Sequence, residues 1–411
     1  MHHIVFNAND DYIKYLAVLC HSIVKNAAHN NIIETMGGWG ANSHSLTHTQ
    51  SISCYEKDNE SIPLSLNNPD LSKDNTPLYK SQNSQIQNNP FAFHILTNGL
   101  KHETEQKLQA LELELNKLYP CRFHIYTLSD SMFHGLPKLN NNYLAYFRIK
   151  MASCLPKEIQ KCLYLDVDML CVADIREIFY KDLQGKICGV VLDAHYLPSR
   201  IMPSVNGGEN NGFSLNIDTY FNSGLMLIDL EQYRNHNIEQ QCFEWLKCYI
   251  PTWFDQDVFN AILSHHLYIL PLEWNFMLGH VENRDKSAFR GESEESNLIY
   301  TYQEYREAKN NIKILHYLTV IKPWHALRAN ENGNIISCAY RNEWWIEACN
   351  TPIFDKELQI LYIQRQESAI FNLSICLQKQ IASLENLRQK RRPLKRLKQS
   401  FKRRMKKIFH K

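Results

Sequence analysis

The sequence predicts an α/β protein, a mostly parallel sheet flanked by helices, with a helical extension at its C-terminus. Three observations predict it. Short apolar runs alternate with amphipathic helical stretches between residues 4 and 329, the chain opens as strand, loop and helix, and apolar residues beyond Asp355 recur mostly three and four apart.

Taken in order, Ile4-Val5-Phe6 reads as a buried strand, and Leu16, Leu19, Cys20, Ile23 and Val24 predict a helix reaching Asn26. From His29 to Pro90 periodicity vanishes: Asn and Ser supply 19 of 62 residues, and Pro63, Pro69, Pro77 and Pro90 break any helix or strand. This low-complexity stretch, residues 29–90, predicts a surface insertion, which the fold tolerates because loop-closure entropy grows only logarithmically with length. Structure resumes with a strand at Phe91 to Thr97, a helix from about His102 to Leu118 and a strand near Phe123 to Thr127. Tyr143 to Leu155 reads as a helix, then Lys161 to Asp166, Ile187 to Leu192 and Phe221 to Asp229 as strands. Helices follow at Ile238 to Ile250 and Gln256 to Ser264, and a last strand, Ile312 to His316, leads to Lys322-Pro323-Trp324. The expected plan is a body of residues 1–329, a helical extension at 330–387 and a basic tail at 388–411.

The net charge of +2 hides an asymmetry: Arg388 to Lys411 carries 13 Lys and Arg and no acid, which leaves the first 387 residues at −11. Leu394, Leu397, Phe401, Ile408 and Phe409 interleave those cations at roughly helical spacing. A basic amphipathic segment suits the surface of an anionic membrane, where each cation contributes about 1 kcal/mol. RNA binding and a disordered solubilising tail are the alternatives; the reading taken is a membrane surface and no nucleic acid. No apolar run approaches the ~20 residues of a membrane span, and the N-terminus has neither a basic stretch nor a cleavage site, so attachment is expected to be peripheral. Twelve cysteines form no CxxC pair and sit among apolar neighbours, which reads as reduced and structural. Between Asp355 and Arg388, Leu358, Leu361, Tyr362, Ala369, Leu373, Leu377, Ile381, Leu384 and Leu387 predict one long amphipathic helix, packed on the body or, as a rival, self-associating through 355–388.

The chemistry concentrates at strand ends. Cys162-Leu-Tyr-Leu-Asp166-Val-Asp168 sets two carboxylates one residue apart where an apolar strand stops, the edge at which α/β sheets bind ligands. Extended backbone would diverge the two side chains, so joint use requires a turn, and the hard oxygens then suit Mn²⁺, with Mg²⁺ as the alternative, bridging a diphosphate. An Asp-x-Asp triplet arises by chance roughly once in a chain of this size. What raises its weight is Ile314-Leu315-His316, which ends a second apolar strand and is followed by Lys322: an imidazole to complete a metal shell and a cation to neutralise phosphate.

Through these residues and their neighbours the chain resembles the retaining glycosyltransferases of family 8, whose bacterial members include galactosyl- and glucosyltransferases of lipooligosaccharide and lipopolysaccharide synthesis. The matching pieces stand in family order: Val5-Phe-Asn-Ala-Asn-Asp-Asp-Tyr12, Tyr146-Phe-Arg148-Ile-Lys150, Leu163-Tyr-Leu-Asp166-Val-Asp168, Tyr220-Phe-Asn222-Ser-Gly224, Asp255-Gln256-Asp257 and His316-Tyr317 with Pro323-Trp324-His325. The resemblance implies a GT-A fold with a Rossmann-like mixed sheet, Mn²⁺ held by Asp166, Asp168 and His316, and uridine held by Ala8, Asn9, Asp11 and Tyr12. Val167, Thr319 and Lys322 would complete the nucleotide side, and Arg148, Asp193, Asn222, Asp255 and Gln256 would line the donor sugar. Two departures stand out: Asn9 replaces the family's usual acid, and Thr319 replaces its usual glycine, so that a side chain there crowds the diphosphate or demands another backbone path.

The activity this resemblance implies is transfer of a galactose or glucose from a UDP-hexose to a lipid-anchored glycan, with the enzyme peripheral on the cytoplasmic face of the inner membrane. Gln256 is a poor nucleophile beside a carboxylate, which favours attack from the face that UDP leaves, with Asp255 the alternative covalent candidate. A nucleotide-sugar hydrolase and a non-catalytic glycan- or membrane-binding protein on a degenerate transferase fold are the rival functions.

Overall fold

A computed structural model describes residues 1–36, 89–138, 142–195, 199–207, 212–282, 284–329 and 335–409. Met1–Asn30 and Asn89–Lys411 form one compact unit. Most of the expected low-complexity insertion, residues 37–88, lies outside the described residues.

The strands are β1 (His2–Asn7), β2 (Phe91–Thr97), β3 (Cys121–Thr127), β4 (Lys161–Leu165), β5 (Met169–Cys171), β6 (Cys188–Leu192), β7 (Ile201–Met202), β8 (Phe213–Ser214), β9 (Phe221–Asp229), β10 (Leu267–Ile269), β11 (Phe276–Met277), β12 (Ile314–His316), β13 (Arg328–Ala329) and β14 (Ile335–Ile336). The helices are α1 (Ile13–Met36), α2 (His102–Leu115), α3 (Met151–Cys154), α4 (Leu230–Asn235), α5 (Ile238–Cys248), α6 (Phe254–Leu263), α7 (Tyr302–Asn310), α8 (Arg341–Cys349) and α9 (Asp355–Phe409). Seven strands build the main sheet in the order β10-β6-β9-β4-β1-β2-β3, all parallel except β9. Because β9 runs backwards, its first residues lie beside the last residues of β4 and β6: Leu225 pairs with Leu165, and Asn222 with Val191 after a register shift. A second sheet, β11-β12-β5, sets His316 opposite Met169, directly after the acid pair.

Strand periodicity builds two cores. Ile4, Phe6, Phe93, Leu163, Leu165, Leu225 and Leu227 pack on one face with α1 and α2, while Val5, Cys162, Tyr164, Met226 and Ile228 pack on the other with residues of α3 to α6. Each fully buried large apolar side chain contributes about 1.5–3 kcal/mol. Trp344, Trp345, Phe354 and Leu358 of the C-terminal extension belong to the first core, so α8 and the start of α9 are integral to it.

The sequence reading differs from the structure in several places. Residues Leu144–Lys150 form a 3₁₀ helix with only one α turn after it, where a single helix was expected from Tyr143 to Leu155. Carbonyls of this stretch are taken by Asn7, Tyr233 and Arg234 instead of an α-helical ladder. The first helix continues to Met36, past the predicted Asn26, and α9 is continuous to Phe409 through the predicted boundary at 387. The described cysteines are all free, as expected.

Candidate active site

The turn Asp166–Asp168 between β4 and β5 folds both carboxylates toward the end of β12. Donor atoms of Asp166, Asp168 and His316 all lie within 4.8 Å of one another. His316 Nε2 is 3.3 Å from Asp168 Oδ1 and 3.9 Å from Asp166 Oδ2, and the imidazole is fully buried. Room for this cluster depends on Gly224: a Cβ there would stand 2.4 Å from His316 Cε1 and 2.9 Å from Asp166 Oδ2.

A chain of hydrogen bonds anchored on backbone settles the chemistry of the imidazole. The Gly224 N–H must donate, so Asn222 presents Oδ1 to it at 3.1 Å. Asn275 Nδ2 donates to the same Oδ1 at 2.9 Å, which turns Asn275 Oδ1 toward His316 Nδ1, also 2.9 Å away. Nδ1 therefore carries the proton, and the lone pair of Nε2, which has no hydrogen-bond partner, faces the two carboxylates. Two carboxylate oxygens and one imidazole lone pair in a small, glycine-made space fit a hard divalent cation. Burial alone would raise the Asp168 carboxyl, but the Lys322 ammonium, with Nζ 2.6 Å away, outweighs it and holds it well below the usual carboxylate range.

Arg148 ties this cluster to the next. Its guanidinium donates to Asp166 Oδ1 at 2.8 Å and to the Ser223 carbonyl at 3.0 Å, ion-pairs Asp255 at 3.2 Å, and lies 4.2 Å over the Tyr164 ring. Tyr164 Oη also donates to Asp166 Oδ1 at 2.8 Å, leaving Oδ2 turned to His316. Asp255 accepts from Ser223 Oγ at 2.9 Å, yet burial outweighs Arg148 and pushes its carboxyl up to about 6.

Beside it, the Gln256 amide is oriented by the Ser223 N–H, which donates to Oε1 at 3.2 Å; Asn222 Nδ2 donates there too. Nε2 is thereby directed to Asp193 Oδ2 at 3.3 Å and Tyr220 Oη at 3.2 Å. Phe254, just before this pair, has φ of 48°, a left-handed conformation that costs about 1–3 kcal/mol outside glycine. Fully buried Asp257 holds that turn by accepting from the Thr252 and Trp253 N–H groups and from Tyr220 Oη, with Arg200 as its ion-pair partner. Its carboxylate is thus committed to structure.

The residues expected to line a nucleotide have varied roles in the fold. Ala8 is buried at the end of β1, Asp11 is exposed, and Asn9 Oδ1 accepts from the Tyr12 N–H, capping the turn that carries both. Tyr12 meets Trp324 edge to face. The Val167 side chain belongs to the core, which leaves only its backbone for a ligand. Thr319 turns toward Gly279, where a Cβ would stand 2.6 Å from its methyl group, and its hydroxyl donates to the Ile321 carbonyl at 2.6 Å. Lys322 bridges Asp168 and the Tyr317 carbonyl.

Sequence reasoning did not single out Asn275, Ser223, Tyr164 and Tyr220, although the last three sit inside the quoted motifs. Asn275 carried one signal, a polar residue within the apolar run Trp274-Asn275-Phe276-Met277.

Among known proteins, an Escherichia coli lipopolysaccharide 1,2-glucosyltransferase is 26% identical over 245 residues, covering 58% of this chain and 65% of that protein. The chain thus spans just under two thirds of that relative's length. A Salmonella typhimurium lipopolysaccharide 1,3-galactosyltransferase is 24% identical over 277 residues, 65% of this chain and 74% of that one. The solved galactosyltransferase LgtC in complex with donor and acceptor sugar analogues has a TM-score of 0.51 at 20% identity over 84% of this chain and 95% of its own. The fold is therefore GT-A, a mixed α/β architecture, as the resemblance implied. The sequence pattern of glycosyl transferase family 8 runs from β1 to the first residue of β13, residues 3–328, and by that match the chain belongs to the family.

Proposed function

We propose that the chain is a metal-dependent glycosyltransferase that moves a hexose, galactose or glucose, from a UDP-sugar to a glycan of the lipopolysaccharide or lipooligosaccharide class with retention of configuration. The observation that carries this reading is the convergence of Asp166, Asp168 and the Nε2 lone pair of His316 beside the buried network of Asn222, Gln256 and Asp193. Mn²⁺, or Mg²⁺, held by Asp166, Asp168 and His316 would supply charge stabilisation to the departing diphosphate. Arg148 orients Asp166 for that role, and Asn275 holds the His316 tautomer. Lys322 stands at the outer oxygen of Asp168 and supplies a second positive charge to a phosphate arriving there. Ala8, Asn9, Asp11, Tyr12, Val167 and Thr319 line the nucleotide side in this reading. Gln256, with Oε1 fixed by Ser223 and Asn222, offers an oriented amide to the sugar, while Asp255 is closed in by Arg148 and Ser223. That arrangement supports front-face attack over a covalent intermediate on Asp255.

No helix among the described residues is long and apolar enough to cross a membrane. The tail from Arg388 accordingly serves in this reading as a peripheral anchor on an anionic cytoplasmic leaflet, next to a lipid-anchored acceptor. Self-association through 355–388 is the second use of the same helix, favoured by its exposed Ile370, Leu377 and Leu384, seven residues apart.

The test is UDP release by the purified protein from a panel of UDP-sugars, with and without glycan acceptors. Turnover with Mn²⁺, its loss on chelation, and a drop of about 10³-fold in Asp168→Ala are expected, and NMR of the first product should show the donor's anomeric configuration. Full activity in chelator-treated Asp168→Ala would remove the metal role.

A further inference from the structure

Asp193, His195 and His280 form a second cluster of metal-ligating side chains, outside the one formed by Asp166, Asp168 and His316. His280 Nδ1 lies 3.6 Å from Asp193 Oδ1, and His195 Nδ1 lies 3.9 Å from the same oxygen. Ligands about 2.0–2.2 Å from a tetrahedral zinc ion are separated from one another by roughly 3.3–3.6 Å, so Asp193 and His280 already stand at chelating distance, and His195, within 4.8 Å of both, has to move inward to join them. The two rings stand edge to face with centroids 4.3 Å apart. His280 Nδ1 is buried and has no hydrogen-bond partner.

Each ligand comes from ordered backbone. Asp193 follows β6 directly and accepts the His195 N–H, and His195 pairs in an isolated bridge with Leu298. His280 sits in a turn closed on Met277 and preceded by Gly279 at φ of 86°, a conformation that favours glycine. The neighbouring Arg284 guanidinium is turned to the carbonyls of Gly279 and His280, away from the competition for Asp193.

We propose that Asp193, His195 and His280 bind a divalent transition metal of the zinc class, distinct in chemistry from the metal of the acid pair. Two imidazoles and one carboxylate suit zinc, nickel, copper or iron, whereas two carboxylates and one imidazole suit manganese or magnesium. Three protein ligands leave a coordination position for water or a ligand hydroxyl. Asp193 Oδ2 stays on Gln256, so occupancy would lock the orientation of both side chains; that consequence, unlike the site itself, rests on the transfer reading.

The experiment reads bound metal. Full-length protein in excess Mn²⁺ is given one equivalent of Zn²⁺ and dialysed against Mn²⁺, and both metals are counted; Co²⁺ replaces Zn²⁺ for visible absorption of a low-coordinate site. One zinc retained per chain alongside manganese, kept in Asp168→Ala and lost in the His195→Ala/His280→Ala double variant, is the expected result. Should the double variant fail to fold by circular dichroism, His195→Gln, whose ring is 33% exposed, is expected to weaken zinc binding about tenfold or more. Equal zinc retention in the wild type and these variants, or none in the wild type, overturns the site. Manganese bound without UDP-sugar turnover would instead count against the transfer reading alone.

Discussion

The strand-end cluster and the distal part of α9 treat costly side chains in opposite ways. In the cluster, Arg148, Asp255, Asn222, Asn275 and His316 are withdrawn from solvent, and each leans on a partner whose own orientation is set by backbone. Burying such groups without partners would cost several kcal/mol apiece, so the network has little freedom to rearrange. Along α9, no described side chain beyond Ala369 is buried, while Ile370, Phe371, Leu377, Ile381, Leu384 and Leu387 face outward. Contiguous exposed apolar residues mark an interaction surface. The cluster's geometry is determined within the fold, whereas distal α9 has no buried side chain among its described residues to fix its place.

The comparison breaks most sharply at Gly224. Gly224→Ala drives a methyl group against His316 and Asp166, and a displacement of about 1 Å at reacting groups costs about 10²-fold. We expect at least that loss in UDP-sugar turnover together with weaker Mn²⁺ binding by calorimetry. Normal metal affinity in a folded Gly224→Ala protein would show that the cluster is looser than its contacts indicate. Asn275→Ala acts one step further out. It releases the His316 tautomer without touching a ligand, and loss of such a partner typically costs 10–100-fold in metal affinity. A purely structural Asn275 would lower the melting temperature and leave the Mn²⁺ dissociation constant unchanged.

These two residues also show where sequence reasoning stops. Strands Phe91–Thr97 and Phe221–Asp229 were legible because a strand's apolar period is local, and Asp166, Asp168 and His316 because acids and an imidazole at strand ends are visible as types in order. Asn275 acts on residues 41 and 53 positions away, through hydrogen bonds that only the folded sheet creates. Thr319 makes the same point: it departs from the family glycine, and the room for its methyl group is made by Gly279, forty positions earlier in the chain. The short β5 and the 3₁₀ stretch at Leu144–Lys150 were missed because pairing with β12 and tertiary capping, not propensity, create them.

A smaller effect sharpens the boundary between the packed and unpacked parts of the C-terminal extension. Glu347 of α8 lies 2.7 Å from both His21 and Lys25 of α1. Burial would raise its carboxyl, but the adjacent His21 and Lys25, the latter donating a hydrogen bond to it, outweigh it and leave it below the ordinary value of 4.5. A depressed carboxyl contributes stability above its unfolded value and loses it as pH falls through the folded one. Glu347→Gln should therefore destabilise the fold by about 1–3 kcal/mol at pH 7, with the gap to wild type closing below pH 4.5. Denaturant melts at both pH values measure it, and a gap that stays constant with pH would mean the pair contributes packing and not charge.

The smallest effect on turnover is expected at the far end of α9. Truncation after Leu387 removes 13 cations and no acid, and it leaves intact every proposed site residue, together with the buried Trp344, Trp345, Phe354 and Leu358. The melting temperature and the rate on a soluble acceptor should stay within error of the full chain. Association with anionic vesicles should not. Exposed charges are screened over about 8 Å at physiological ionic strength, so the full chain's sedimentation with such vesicles should weaken with salt, while the apolar residues that accompany the cations retain part of it. The truncated chain should stay in the supernatant at low and high salt alike. If it still sediments, the exposed stripe from Ile370 to Leu387 is the contact surface, and analytical ultracentrifugation of the truncated chain then tells a membrane contact from pairing between two copies of α9.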